Sequence, residues 1–216
     1  MEFIQLLLET SPIFWKGLKL TFYLTIVSIG IAMIIGLIFA LFKISQIQVL
    51  EKLADVYIFI VRGTPLIVQI FIFYFGLTEL NFSAIWSVIL GLAFHNGAYM
   101  AEIYRGAIQS IDRGQMEAGR SLGMSLSLTM RRIILPQAFR RALPPLGNQF
   151  IIALKDSSLA SFIGVFELFG VATTLGSNEF DYMTYLLIVS IYYLLLVFIF
   201  SSIVKLLEKR MAVSDA

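Results

Sequence analysis

Residues 20–42 read LTFYLTIVSIGIAMIIGLIFALF, a run without any charged side chain. A helix rises about 1.5 Å per residue, so about 20 such residues cross the roughly 30 Å hydrocarbon core of a bilayer. Ser28, Gly30, Ala32 and Gly36 are small enough to let another helix approach closely. The stretch therefore predicts a transmembrane helix, and it identifies lipid as the solvent of the chain.

Further apolar stretches follow along the chain. The predicted spans are 20–42, 53–77, 82–101, 143–166 and 183–206. Pro65 interrupts the second span and should kink it or mark its true start, and residues 6–15 suggest a separate interfacial helix before the first span. We find neither an internal repeat nor a low-complexity linker. Residues 1–216 are therefore predicted to form a single domain, an all-α integral membrane protein with about five transmembrane helices.

The composition agrees with that class and excludes several functions. Hydrophobic residues make up 59% of the chain and charged residues 14%, with a mean hydropathy of +0.88, whereas soluble domains carry about 25% charge. The net charge of +2 argues against a nucleic-acid partner. Without cysteine, and with His95 as the single histidine, the sequence offers no thiolate or multi-histidine metal site. It has no nucleophile–base pair and no G-x-x-x-x-G-K-[ST] phosphate loop, so we expect no catalytic residue, no metal and no ATP site.

Basic residues predict the orientation of the spans. Residues 78–83 and 167–182 contain neither Lys nor Arg, whereas the connection between the third and fourth spans is rich in arginine. Positive charge marks the cytoplasmic side. We therefore expect the arginine-rich connection and the C-terminus inside and the N-terminus outside. The arginines concerned are Arg105, Arg113, Arg120, Arg131, Arg132, Arg140 and Arg141.

The connection over residues 107–141 carries signals of helical structure. Asp112 followed by Gln115 is a variant of the capping box and predicts a short helix over 115–122. Gly123 supplies a left-handed stop. A second short helix, capped by Ser125 or Ser127, should end by residue 135 because the residue before a proline disfavours the α conformation. The alternative is an ordinary solvated loop.

The same connection resembles the "EAA" loop of ATP-binding-cassette (ABC) importer permeases, whose pattern is EAA-x3-G-x9-I-x-LP. The matching residues are Glu117-Ala118-Gly119, Gly123, Ile133 and Leu135-Pro136, with Gly119 in place of the usual alanine. Other stretches resemble the polar amino-acid subfamily of these permeases. They are Arg62 to Leu66 with Gln69, Ala98-Tyr99, Glu102, Arg105-Gly106, Lys155 to Leu159 and Glu167-Leu168. The resemblance covers roughly residues 15–208.

The resemblance implies a type I ABC importer fold in a prokaryotic cell (inner) membrane and several partners. Two permease subunits would pair, as a homodimer or with a related chain, and each would dock an ATPase that holds ATP and Mg²⁺. An extracellular or periplasmic substrate-binding protein would deliver an amino acid, and ATP-driven closure would rock the spans between inward- and outward-facing states. The coupling residues would be Glu117, Ala118, Gly119, Arg120 and Gly123.

Polar residues inside the predicted spans are candidates for the translocation path, because ionisable groups at membrane depth are costly and usually face a cavity. Lys155 and Asp156 lie mid-span, and His95, Tyr99 and Glu102 fall on one helix face. Alternatively the first pair bridges to another helix of the same subunit, His95 is a packing residue, and Glu167 lies at the wet surface. The predicted substrate-binding residues are Asn96, Tyr99, Glu102, Lys155, Asp156, Ser157, Ser158 and Glu167.

The candidate acids outnumber the candidate bases, which favours arginine, lysine or histidine as substrate. Glutamine and cystine remain open. A stand-alone secondary transporter driven by an ion gradient and a membrane scaffold are the competing functions. The loop centred on Glu117 argues against the first of these, and the polar groups in the third and fourth spans argue against the second.

Overall fold

A computed structural model of the chain describes residues 2–212, and every regular element in that range is helical. The predicted all-α class is confirmed. Residues 1 and 213–216 of the predicted single domain lie outside the described range. The helices are α1 (Glu2–Ile44), α2 (Gln48–Gly63), α3 (Leu66–Phe71), α4 (Ala84–Gln109), α5 (Arg113–Ser121), α6 (Leu126–Thr129), α7 (Leu135–Asp156), α8 (Leu168–Asn178) and α9 (Tyr182–Ala212).

Short turns of other helical types extend or link these elements. A π-helical turn, Ile72–Gly76, continues α3, and Thr78–Leu80 forms a 3₁₀ turn before α4. A second π-helical turn, Met130–Ile134, joins α6 to α7, and a 3₁₀ helix, Ser157–Ile163, follows α7.

The described helices provide three to five membrane spans. Phe3–Ile44, Ala84–Gln109 and Tyr182–Met211 are each long and apolar enough to cross alone. Two bent helix pairs pass the same test only when each pair is taken together: Gln48–Gly63 meets Leu66–Gly76 at 105°, and Leu126–Ile163 meets Leu168–Asn178 at 45°.

The N-terminal region continues the first span, so the prediction of a separate interfacial helix is wrong. Helix α1 passes through Pro12 without a break. Proline cannot donate to the carbonyl one turn earlier, but here the Ser11 hydroxyl donates to the Leu8 carbonyl oxygen at 2.8 Å. Phe14 is fully buried and its ring stacks on that of Tyr192 at 5.1 Å. Packing against α9 therefore favours one long helix.

The second span breaks where Pro65 predicted. Thr64 and Pro65 are extended, and α3 begins at Leu66. The side-chain amide of Gln69 donates to the Val61 carbonyl oxygen at 2.8 Å and to the Thr64 hydroxyl oxygen at 3.0 Å. The Gln69 amide thus donates a hydrogen bond to a backbone carbonyl group that the break in the helix leaves without a helical partner.

Glycines let the helices cross closely. A Cβ atom at Gly91 of α4 would lie 3.1 Å from the Ile70 Cα atom of α3. A Cβ atom at Gly36 of α1 would lie 3.0 Å from the Ala101 backbone nitrogen of α4. Gly36 therefore has the packing role predicted for small residues, whereas no atom lies within 4 Å of a Cβ at Gly30.

Two boundaries differ from the sequence-based predictions. The second short helix of the loop, which was predicted to end by Leu135, continues into α7 instead. The π-helical turn Met130–Ile134 precedes Pro136 and is wider than an α-helical turn, so it changes the position of the carbonyl groups that the proline ring would meet. The predicted fourth span, 143–166, is part of a helix that begins at Leu126 and is α-helical only as far as Asp156. Beyond it, residues 167–182 contain α8 rather than a plain connection.

Candidate functional site

The loop between α4 and α7 is a folded helical hairpin rather than an irregular loop. The Asp112 carboxylate accepts a hydrogen bond from the Gly114 backbone nitrogen at 2.7 Å and caps α5. Gly123 has φ +80°, as its predicted role as a left-handed stop requires. Ser125 accepts from the Leu128 backbone nitrogen at 3.2 Å and caps α6. Both predicted short helices are therefore present, the first over Arg113–Ser121.

One residue of the hairpin decides how closely α5 lies on its neighbour. Gly119 is buried, and a Cβ atom there would lie 2.6 Å from the Thr129 Cγ2 atom and 3.2 Å from the Ile133 Cδ1 atom. Glu117 and Ala118 are exposed on the same helix. Arg120 is exposed too, and its guanidinium lies 3.4 Å from the Met124 carbonyl oxygen. The hairpin thus exposes small and charged side chains on α5, a helix that packs closely against the residues that follow it.

The base of the hairpin is tied to the membrane helices. The Arg141 guanidinium of α7 donates to the Ser110 carbonyl oxygen and, at 3.2 Å, to its hydroxyl oxygen. Ile111 and Ile134 are buried in one apolar cluster with Ala107 and Ala138. The hairpin is therefore linked to the end of α4 and the start of α7 by both polar and apolar contacts.

The second group of predicted residues surrounds the end of α7. Lys155 is exposed, Asp156 is half-buried, and the side chain of neither forms an ion pair or hydrogen bond with any residue in 2–212. The alternative of a bridge to another helix of the same subunit is not observed among those residues. Ser157 is fully buried and its hydroxyl donates to the Leu154 carbonyl oxygen at 2.8 Å, while Ser158 is half-buried. Lys155 and Asp156 thus lie directly before the change from α to 3₁₀ geometry, and neither side chain forms an ion pair with another helix within residues 2–212.

Asn96 lies inside the helix bundle. Its side chain is 0% exposed, its amide donates to the Leu92 carbonyl oxygen at 2.8 Å, and its side-chain oxygen accepts from the Gln149 amide at 2.8 Å. Sequence reasoning missed Gln149, whose polar side chain within the predicted fourth span was the available signal. In this conformation Asn96 joins α4 to α7 and does not reach a surface that a substrate could touch.

Glu102 and Tyr99 have different surroundings, although they share a face of α4. The Glu102 carboxylate binds the Arg105 guanidinium through two contacts of 2.7 and 3.0 Å. Tyr99 is half-buried, with its ring 5.2 Å from the His95 ring and 5.1 Å from the Arg62 guanidinium carbon. The predicted polar face of α4 therefore consists of the neighbouring rings of His95 and Tyr99, followed by the ion pair of Glu102 with Arg105.

Glu167 is a buried helix cap, so the alternative of a position at the wet surface is wrong. The side chain is 0% exposed, and its carboxylate accepts from the Gly170 backbone nitrogen at 2.7 Å and the Phe169 backbone nitrogen at 3.0 Å. The Tyr193 hydroxyl donates to the same carboxylate at 3.0 Å. Glu167 thus joins the start of α8 to α9.

Two of the three candidate acids are consequently engaged within the chain. Glu102 binds Arg105, and Glu167 caps α8. The remaining candidate acid is Asp156, which follows Lys155 in the chain; within residues 2–212 Lys155 has no ion-pair partner. The excess of candidate acids, which favoured a cationic substrate, is therefore reduced to one carboxylate, on Asp156, and one ammonium group, on Lys155.

The fold and these groups can be compared with known proteins. The model for the inner membrane component of binding-protein-dependent transport systems matches residues 4–213. The chain belongs to this family. It is 40% identical to the probable amino-acid ABC transporter permease protein YckA of Bacillus subtilis, over 96% of this chain and 93% of that protein. It is 36% identical to the glutamine transport system permease protein GlnP of Escherichia coli, over 94% of each chain.

A solved structure gives the same result. A crystal structure of an amino acid ABC transporter with histidines matches with a TM-score of 0.91 and 38% identity, over 97% of this chain and 99% of that one. The resemblance to ABC importer permeases deduced from the EAA-like loop is therefore confirmed, and with it the type I fold.

Proposed function

We propose that this chain is the membrane-spanning subunit of an ABC importer for polar amino acids. The proteins similar over nearly its whole length include amino-acid and glutamine permeases and an amino acid ABC transporter. ATP hydrolysis would take place on a separate chain, since this sequence contains no phosphate-binding loop.

The observation that carries the proposal is the pair Lys155 and Asp156 at the end of α7. Both lie in a span, neither has an ion-pair partner among residues 2–212, and the helix changes geometry directly after them. Charges inside a membrane are expensive unless they meet partners or water. An amino-acid substrate supplies both partners, because its carboxylate complements Lys155 and its ammonium group complements Asp156.

Tyr99 is the other accessible candidate on the path. It is half-buried, and with Asp55, Arg62 and Gly63 it lines an open depression of about 580 Å³ on the surface of the chain. Asn96, Glu102 and Glu167 would act on the path indirectly, by holding α4, α7, α8 and α9 in position.

The α5–α6 hairpin would transmit force from the ATPase. Glu117, Ala118 and Arg120 are exposed for contact, and Gly119 and Gly123 fix the shape of the hairpin. With this hairpin in the cytoplasm, ATP-driven movement would reach α4 and α7 through Arg141 and the apolar cluster of Ile111 and Ile134. Alternating access would follow from that displacement.

The assembly would contain two permease subunits, because about five spans are too few to enclose a polar path alone. A homodimer is the simplest arrangement, with a closely related second chain as the alternative. An external binding protein would deliver the substrate at the side away from the hairpin, where the N-terminus would lie.

Transport by the reconstituted complex tests the proposal. Vesicles containing the permease, its ATPase and its binding protein should accumulate a polar amino acid when ATP is supplied, and ion gradients alone should drive none. Uptake driven by an ion gradient without ATP would contradict the proposal and favour a secondary transporter.

A matched pair of variants locates the path. Lys155→Met should abolish at least nine-tenths of uptake (about 1.4 kcal/mol or more of lost substrate interaction), while ATPase assembly stays intact. Lys205→Met removes an exposed lysine of α9 instead and should leave uptake unchanged. Equal transport by both variants would remove Lys155 from the path.

A further inference from the structure

An apolar groove opens between three helices beside the hairpin. It has a volume of about 310 Å³ and is lined by uncharged residues of α1, α4 and α7. We call it the lateral groove; Leu37, Tyr104, Ile108, Leu135, Phe139 and Ala142 line it. Several of these side chains remain accessible at its mouth, Leu37 being 50% exposed and Phe139 58%.

The groove lies at the end of the bundle that carries the hairpin. Ile108 precedes the end of α4 at Gln109, and Leu135 is the first residue of α7. Leu37 comes from the apolar run that predicts the first span. The lateral groove is therefore at membrane depth, close to the interface from which the hairpin projects, and lipid rather than water is the solvent at its mouth.

Two arginines lie directly before the part of α7 that lines the groove. Leu135, Ala138, Phe139 and Ala142 recur at the spacing of one helix face. Arg131 and Arg132 precede Leu135 by four and three residues, in the π-helical turn Met130–Ile134. Both are exposed, and neither forms an ion pair with any residue in 2–212.

Three other cations close to this end of the bundle have partners within the chain. Lys43, at the end of α1, binds Asp55, and Arg141 binds the Ser110 carbonyl oxygen. Arg105 binds Glu102. Among residues 2–212, Arg131 and Arg132 thus supply positive charge without an acidic partner next to the first residue of α7 that lines the groove.

We propose that the lateral groove binds one acyl chain of an anionic phospholipid, whose phosphate binds Arg131 and Arg132. The groove supplies an apolar wall for the chain, and the arginines supply charge complementarity for the headgroup. Basic pockets between transmembrane helices on the cytoplasmic side are suited to such headgroups. With the hairpin in the cytoplasm, the lipid comes from the inner leaflet.

The position of the lipid gives it a consequence for the subunit. The acyl chain contacts α4 and α7, the two helices that flank the hairpin, and α1, which packs along α4. A bound lipid would thus wedge the helices through which hairpin movement reaches the bundle. Its occupancy is separable from transport itself, because none of the proposed path residues lines the groove.

The test measures lipid retained by the purified permease–ATPase complex. The complex is delipidated, phosphatidylglycerol or phosphatidylcholine is added back, and native mass spectrometry gives the apparent Kd of the tightly held lipid. The wild type should prefer phosphatidylglycerol. Arg131→Gln should weaken phosphatidylglycerol about fivefold, which corresponds to about 1 kcal/mol per basic residue near a membrane surface, and should leave phosphatidylcholine unchanged.

Further variants separate the two parts of the site. Leu37→Trp fills the groove from α1 and should weaken both lipids, whereas Ile38→Trp, on an exposed neighbour outside the groove, should weaken neither. Arg210→Gln removes an exposed cation at the end of α9 and should leave the lipid preference unchanged. No preference for phosphatidylglycerol, or equal effects of Arg131→Gln and Arg210→Gln, would overturn the headgroup site. Equal effects of the two tryptophan variants would overturn the groove.

Discussion

The hydrogen bond between Asn96 and Gln149 gives the most quantitative prediction, because sequence and structure assign Asn96 different roles. The sequence predicts a substrate ligand, whereas the structure buries Asn96 completely and Gln149 to 7% exposure, with 2.8 Å between the Gln149 amide nitrogen and the Asn96 side-chain oxygen. If this bond joins α4 to α7, removing either partner should destabilise the bundle, since the other amide is left buried and unpaired.

The magnitude follows from the partners that each change removes. Asn96→Leu loses the bond to Gln149 and also the bond from Asn96 to the Leu92 carbonyl oxygen. A buried polar group without a partner costs about 1–3 kcal/mol, and hydrogen bonds between transmembrane helices average about 0.6 kcal/mol, with a maximum of about 1.7. We expect each single Leu variant to cost about 1–2 kcal/mol. The double variant should cost less than the sum by about 0.6–1.7 kcal/mol.

Reversible unfolding in mixed micelles measures these free energies, and uptake by the reconstituted complex measures the KM of each variant. The structural role predicts a non-additive cycle and a KM that changes little. Free energies that add to within about 0.3 kcal/mol, together with a tenfold rise in KM for Asn96→Leu alone, would refute the reasoning and restore the substrate contact.

Two more predictions concern the buried cap and the hairpin. Glu167→Ala leaves the Tyr193 hydroxyl and the first backbone nitrogens of α8 without their acceptor, so it should lower the free energy of unfolding by about 2–4 kcal/mol. Glu167→Gln keeps an acceptor and should recover at least half of that loss, whereas equal losses for the two variants would count against the cap. Gly119→Val adds a Cβ that would lie 2.6 Å from the Thr129 Cγ2 atom, so it should displace α5 at a cost of about 1–3 kcal/mol and reduce ATP-driven uptake more than Gln115→Ala, a substitution at an exposed position of α5, does. Equal uptake by the two variants would contradict the close packing.

Local signals predicted the features that depend on neighbouring residues. Pro65 marks the break of the second span, Gly123 ends α5 with a positive φ, and Asp112 caps α5. Each depends on backbone chemistry within one or two turns, which the sequence displays directly. The apolar run 20–42 falls within α1 for the same reason.

The features that the sequence did not reveal depend on distant partners. Asn96 is paired with a residue 53 positions away, and Glu167 with one 26 positions away. Whether such polar residues face a path or each other depends on how the helices pack, which periodicity along a single helix does not specify. Pro136 was misjudged because a π-helical turn accommodated it, and that turn has no distinct sequence pattern.

The side of the membrane on which the α5–α6 hairpin lies tests the account most directly. The chain has no cysteine, so Ala118→Cys places a single thiol on the exposed surface of α5, and Phe180→Cys places one on a residue that is 94% exposed between α8 and α9. A membrane-impermeant maleimide should label Phe180→Cys in intact cells but label Ala118→Cys only in inside-out vesicles, where added ATPase should protect it. Labelling of Ala118→Cys in intact cells, or no protection by the ATPase, would contradict a cytoplasmic hairpin that receives force from ATP hydrolysis.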